Sequence, residues 1–183
     1  GAQGLADMLN SAMDTGEYLP PLLCANLDWE TSLAEAEDKT ATQNLKDACD
    51  RYGVKDYIVY EENGVRIALF GIMGVEAASF APQSGVYFGD PVEASKRVVA
   101  EIQKNEDADI IVCLSHSGTW EDPEESEDEI LASEVPEINV VVSAHTHTEL
   151  PEAIMVGDTA VVSCGAYNYN LGHVVLEERD GTY

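Results

Sequence analysis

Positive charge is what this sequence has least of: 9 Lys plus Arg stand against 35 Asp plus Glu in 183 residues, a formal net charge of −26. A field of that sign repels phosphate, which sets nucleic acids and anionic membrane surfaces aside as partners. A small phosphorylated substrate meets the same repulsion unless cations sit in the site, so phosphate chemistry here is expected to run through metal ions. The acidic excess equally fits a solvated surface with no further role. Cysteine is sparse as well. Cys24, Cys49, Cys113 and Cys164 show neither the CxxC spacing of a metal clip nor the density of a disulfide scaffold. Cys113 and Cys164 fall in apolar runs that read as strands, so both are expected as buried thiols. No run approaches the ~20 apolar residues that cross a bilayer, and no basic region followed by an apolar one opens the chain, so membrane insertion is not expected.

What is present suits one domain over residues 1–183, with 45% apolar residues to build its core. Leu5, Met8, Leu9, Ala12 and Met13 recur at helical spacing up to Gly16. That helix lacks an obvious N-cap and a leading strand, as a piece cut from a larger fold would. Leu22–Leu27, after Pro20 and Pro21, reads as a short buried strand, and the polar stretch 28–50 as a surface excursion. Asp56–Tyr60 and Val65–Ile72 flank Asn63-Gly64, the pattern of a hairpin with a type I′ turn. Asp90-Pro91-Val92-Glu93 starts a helix that runs to about Asn105.

Asp109–Leu114 is almost continuously apolar, as in a strand buried on both faces of a parallel sheet. Ser126–Glu129 repeats the capping-box pattern before another helix, and a strand over Ile138–Ser143 follows. Strand, helix, strand, helix, strand is βαβ grammar, so the fold class is α/β with a parallel section. Two last strands, Thr159–Cys164 and Leu171–Glu177, have no helix between them and are expected antiparallel. The acidic stretch 121–134 is the single low-complexity tract.

Of the four histidines, His116 follows the strand Asp109–Leu114, while His145 and His147 follow Ile138–Ser143. Ligands of open α/β sheets gather at the carboxyl ends of the strands. If these two strands are neighbours, three imidazoles reach one edge. Residues two apart in extended chain point the same way, which lets His145 and His147 face one site. Clustered imidazoles in acidic surroundings suit Zn, Mn or Fe ions.

Leu114-Ser115-His116-Ser117-Gly118 and Ala144-His145-Thr146-His147-Thr148 together resemble the second half of the calcineurin-like metallophosphoesterases, and most of all their 5′-nucleotidase and 2′,3′-cyclic-nucleotide phosphodiesterase branch. The likeness extends through Ala25-Asn26, Gly64–Gly71, Asp90-Pro91 and Gly165-Ala166-Tyr167 to Leu171-Gly172. It implies a β-sandwich flanked by helices, of which this chain would be the C-terminal half of the catalytic domain. It further implies that His116 and His145 bind one divalent ion and His147 a second. Two such ions, roughly 3.5–4 Å apart, clamp a phosphate and generate a hydroxide.

The family's Asp-x-His and Gly-Asn-His segments are not in this sequence. The resemblance therefore implies a fragment with a partial or empty metal site and little or no hydrolysis of its own, whose parent cleaves phosphate from nucleotides; no catalytic residue is assigned within it. The competing reading is a degenerate binding or structural module of the same fold. Gly118, Gly165, Tyr167 and Asn168 are candidates for the substrate pocket, with turn geometry or packing as their alternative roles. Glu149 is a candidate partner of His147 or a solvated acid, and His173 reads as a surface histidine within a strand. The His-x-His pair is also similar to those of metallo-β-lactamases and amidohydrolases, whose flanking residues or position differ. The resemblance places relatives outside the cytoplasm or at the cell surface, and a half-domain is expected to expose apolar surface and self-associate.

Overall fold

A computed structural model describes residues 1–178 and 183. The chain opens with helix α1 (Ala2–Asp14), whose N-cap is Gly1 without a side-chain bond. Leu22–Leu27 is not a strand. Leu23 makes a single parallel bridge to Lys55, and the pairing segment is the two-residue β1 (Leu27–Asp28). The stretch 28–50 folds as two helices rather than an excursion, because two aspartates cap it. Asp28 Oδ1 accepts the Thr31 N–H at 2.9 Å and starts α2 (Trp29–Glu35), and Asp38 Oδ1 accepts the Ala41 N–H at 2.9 Å and starts α3 (Lys39–Tyr52). Gly53, at φ +81°, closes α3 in the left-handed conformation. Ala2, Ala6 and Leu9 of α1 pack on Ala41, Leu45, Ala48 and Cys49 of α3 as a small core of their own.

The main sheet begins with the expected hairpin. β2 (Tyr57–Glu62) pairs antiparallel with β3 (Val65–Met73), and Asn63 and Gly64 both take positive φ, as a type I′ turn requires. A short helix α4 (Val75–Ser79) and strand β4 (Tyr87–Phe88), which pairs with β1, precede α5 (Pro91–Asn105). Asp90 caps α5 by accepting the Glu93 N–H at 2.9 Å. Then come β5 (Ile110–His116), α6 (Glu127–Glu134), β6 (Val140–Ser143), β7 (Ile154–Val156) and β8 (Thr159–Val162). The order across the six-stranded sheet is β2-β3-β5-β6-β8-β7, with β3, β5, β6 and β8 parallel and an antiparallel strand at each edge. The fold is α/β, as expected. The antiparallel partner of β8 is β7, however, and residues 171–177 form no strand.

Successive parallel strands step in one direction across the sheet. Right-handed crossovers then place their helices on one face. On that face Phe70, Ile111, Cys113, Val141 and Val161 meet Val98, Val99 and Ile102 of α5 and Leu131 and Val135 of α6, all at 6% exposure or less. The opposite face meets the expectation of burial at Ile110, Val140 and Ala160 but not toward the strand ends. Leu114 is 40% and Val142 39% exposed there, with a groove of about 360 Å3 running from Leu23 and Cys24 to His116. The segment 22–26 crosses β3, pressed so close that a Cβ at Gly71 would lie 2.3 Å from the Leu23 carbonyl oxygen. Cys113 is buried as expected and Cys164 is exposed, because β8 ends before it.

Candidate functional site

β5 and β6 pair in parallel, Ser115 against Ser143, so His116 at the end of β5 and His145 just beyond β6 emerge at the same edge. Their ring centroids stand 5.2 Å apart, edge to face at 61°. The His-x-His segment is not extended. His145 has φ +85° and His147 φ +58°. Such left-handed backbone costs a non-glycine residue about 1–3 kcal/mol and persists only where surroundings hold it. The turn sends the two rings to different neighbours: His145 to His116 and Phe80, His147 to Tyr167 at 5.2 Å.

Glu76 was missed by the sequence reading. Its Oε2 lies 3.2 Å from His145 Nε2, with His145 only 16% exposed. The rule that placed the histidines could have found it, since Glu76 follows β3, the next parallel strand. His116 sits beside these groups with its imidazole held below the usual histidine range, first by burial and then by repulsion from His145 and His147. It therefore stays neutral, and able to donate its nitrogen lone pair, to lower pH than a free histidine. An open cleft of about 640 Å3 lies alongside, walled by Glu76, Phe80, Trp120, His145, Thr146 and Thr148.

Gly118 stands where the loop after His116 meets Thr146. It has φ +106°, and a Cβ there would lie 2.4 Å from Thr146 Cγ2. The two rim loops also bond directly, Thr148 Oγ1 donating to the Thr119 carbonyl at 3.0 Å. Gly165 (φ +80°) comes near Glu149, while Tyr167 and Asn168, both at positive φ, are exposed and Tyr167 edges onto His147. Glu149 itself is exposed, and so is His173, in a segment that is not a strand.

The acidic stretch 121–134 is not solvated throughout: Asp128 is 0% and Glu129 8% exposed. Asp128 Oδ1 accepts the Ser115 hydroxyl at 2.5 Å, its Oδ2 accepts the Gly118 N–H at 3.0 Å, and Glu129 Oε1 accepts the Thr119 hydroxyl at 2.7 Å. Burial pushes the Asp128 carboxyl up, and the Ser115 and Gly118 bonds pull against it. The hydroxyl expected to cap α6 is occupied elsewhere: Ser126 Oγ accepts the Trp120 N–H at 2.8 Å and makes no cap bond.

Imidazole nitrogen and carboxylate oxygen are donors that Zn, Mn or Fe ions accept. They fit in kind and fall short in number, because among the described residues no three His, Cys, Asp or Glu side chains surround one point as a metal site would.

No family model matches the chain. Among curated proteins it is 28% identical over 160 residues to the trifunctional nucleotide phosphoesterase YfkN of Bacillus subtilis, covering 84% of this chain and 10% of that protein. It is 30% identical over 99 residues to a 5′-nucleotidase of Vibrio cholerae, covering 49% of this chain and 18% of that one. The chain's relatives are 5′-nucleotidases and calcineurin-like phosphoesterases. It spans a tenth to a fifth of the length of these two. The fold of a 5′-nucleotidase precursor from Thermus thermophilus superposes with a TM-score of 0.59 at 23% identity, over 89% of this chain and 30% of that one. Against this 5′-nucleotidase background the α/β sheet and its histidine rim are the features at issue, and among the described residues no helix is long and apolar enough to cross a membrane.

Proposed function

We propose that this chain carries part of the two-metal site of a nucleotide-cleaving phosphoester hydrolase, with His116 and His145 on one divalent ion and His147 on the other. The observation that carries this reading is the meeting of the His116 and His145 rings at 5.2 Å on adjoining parallel strand ends. Bound Zn, Mn or Fe would supply the positive charge that the −26 of the chain lacks for a phosphate ester. The chain's own residues hold the His116 imidazole neutral to lower pH than a free histidine, orient His145 and His147 through backbone turns, and wall a cleft beside them. Tyr167, at the edge of His147, supports a pocket role for Gly165, Tyr167 and Asn168 alongside Gly118.

With two histidines to one ion and one to the other, the isolated chain binds metal weakly and turns over little p-nitrophenyl phosphate. Self-association through the open face at Leu114 and Val142 belongs to the same reading, and a monomer in light scattering would remove it. The deciding experiment is calorimetric titration with Zn2+. His116→Ala and His145→Ala are each expected to weaken binding tenfold or more, on the order of 1.4 kcal/mol. Equal affinity in all three chains favours the non-catalytic module of the same fold.

A further inference from the structure

Three consecutive carboxylates open α6, and each reaches a different part of the rim. Glu127 sets one oxygen on each of two backbone N–H groups, Val75 at 2.8 Å and Glu76 at 2.9 Å, and so caps the start of α4 from another element. Gly74, the N-cap residue of α4, has no side chain to do this, and a Cβ there would lie 2.6 Å from Glu127 Oε2 and 2.5 Å from Ser117 Cα. Asp128 and Gly118 exchange two backbone-involving bonds, the Gly118 N–H to the carboxylate and the Asp128 N–H to the Gly118 carbonyl at 3.1 Å. Glu129 holds the Thr119 hydroxyl. The Gly74 N–H closes the circuit by donating to the His116 carbonyl at 3.1 Å.

We propose that the first turn of α6 is the positioning device of the histidine rim, in which Glu127 sets Glu76 against His145 while Asp128 separately sets the end of β5 at Ser115 and the loop that follows His116. Carboxylates suit this task because each oxygen accepts a fixed backbone donor, and a charged acceptor makes a stronger bond than a neutral one. Partners that orient ligand groups in this way commonly govern site affinity as much as the ligands do. Glu127, Asp128 and Glu129 are thus positioning residues, acting through loops and touching no substrate. The proposal rests on reading His116 and His145 as working residues, and its test is chosen to be independent of metal and turnover.

The test is amide hydrogen exchange with histidine ring spectra on the whole chain. In Glu127→Ala the Val75 and Glu76 amides are expected to exchange about tenfold faster or more, the loss of a charge-assisted bond, and the His145 ring signals to move more than those of His116. Glu127→Gln, with one acceptor oxygen for two donors, should fall between. Asp128→Asn, near-isosteric but with a neutral acceptor in place of a charged one, is expected to do the reverse, weakening the Gly118 bond and moving the His116 ring more than that of His145. Faster exchange spread evenly over β5 and α6 in either variant, or an unmoved His145 ring in Glu127→Ala, would overturn the proposal. Zn2+ added to the unaltered chain tests the metal reading by itself: ring signals that ignore it sink that reading, and the exchange pattern still decides this one.

Discussion

One sheet shows two different faces. Beneath α5 and α6, Phe70, Cys113, Val141 and Val161 are fully buried, and alternation along each strand delivers one apolar residue per step to that side. On the other side the same strands present Leu114 and Val142 to a shallow groove. The residue types are alike, so composition does not separate the faces. Winding does, because one-directional crossovers stack all their helices on a single side. An apolar strand therefore reports what it could bury, and topology decides what it does bury.

Phe70→Ala should make the largest difference between the faces, costing about 3–5 kcal/mol in urea unfolding through a cavity in the covered layer. Gly118→Ala is expected to cost about 2 kcal/mol, since left-handed backbone and the Thr146 methyl both oppose a Cβ. Leu114→Ala, on the open face, should cost under about 1 kcal/mol; a loss equal to that of Phe70→Ala would mean the face is covered in solution. Thiol labelling sharpens the contrast without a mutation. Cys164 should react first, Cys24 slowly at pH 8 because burial pushes its thiol up to about 11, and Cys113 only on unfolding. The smallest effect concerns pH. Lowered pKa in the folded chain means that the unfolded chain takes up the proton first, so the His116 contribution is full above the ordinary histidine pKa and is lost as pH falls from there toward the folded value. His116→Gln should flatten that part of the stability profile.

The parallel core was legible because Asp109–Leu114 and Ile138–Ser143 are short apolar runs between helix signals, and the hairpin because Asn63-Gly64 supplies both positive φ values. Helices α2 and α3 were not, since polar residues outnumber the apolar ones in both, although Asp28 and Asp38 were available as caps. Among site residues, strand-end placement was enough to pair His116 with His145. Glu76 stayed hidden although it follows the end of β3, because the Glu127 carboxylate that bonds its N–H lies far along the chain. The buried Asp128 and Glu129 were hidden for the opposite reason, lying in a run of acids whose other members, 121–125, are exposed wherever charged.

The 5.2 Å between the His116 and His145 rings is close to the ~4.8 Å that separates neighbouring strands in any sheet. The ladder between β5 and β6 brings the two chain segments to that separation, and the left-handed turn at His145 sets where its ring stands. Whatever sits between the two imidazoles is gauged by the ladder and that turn together.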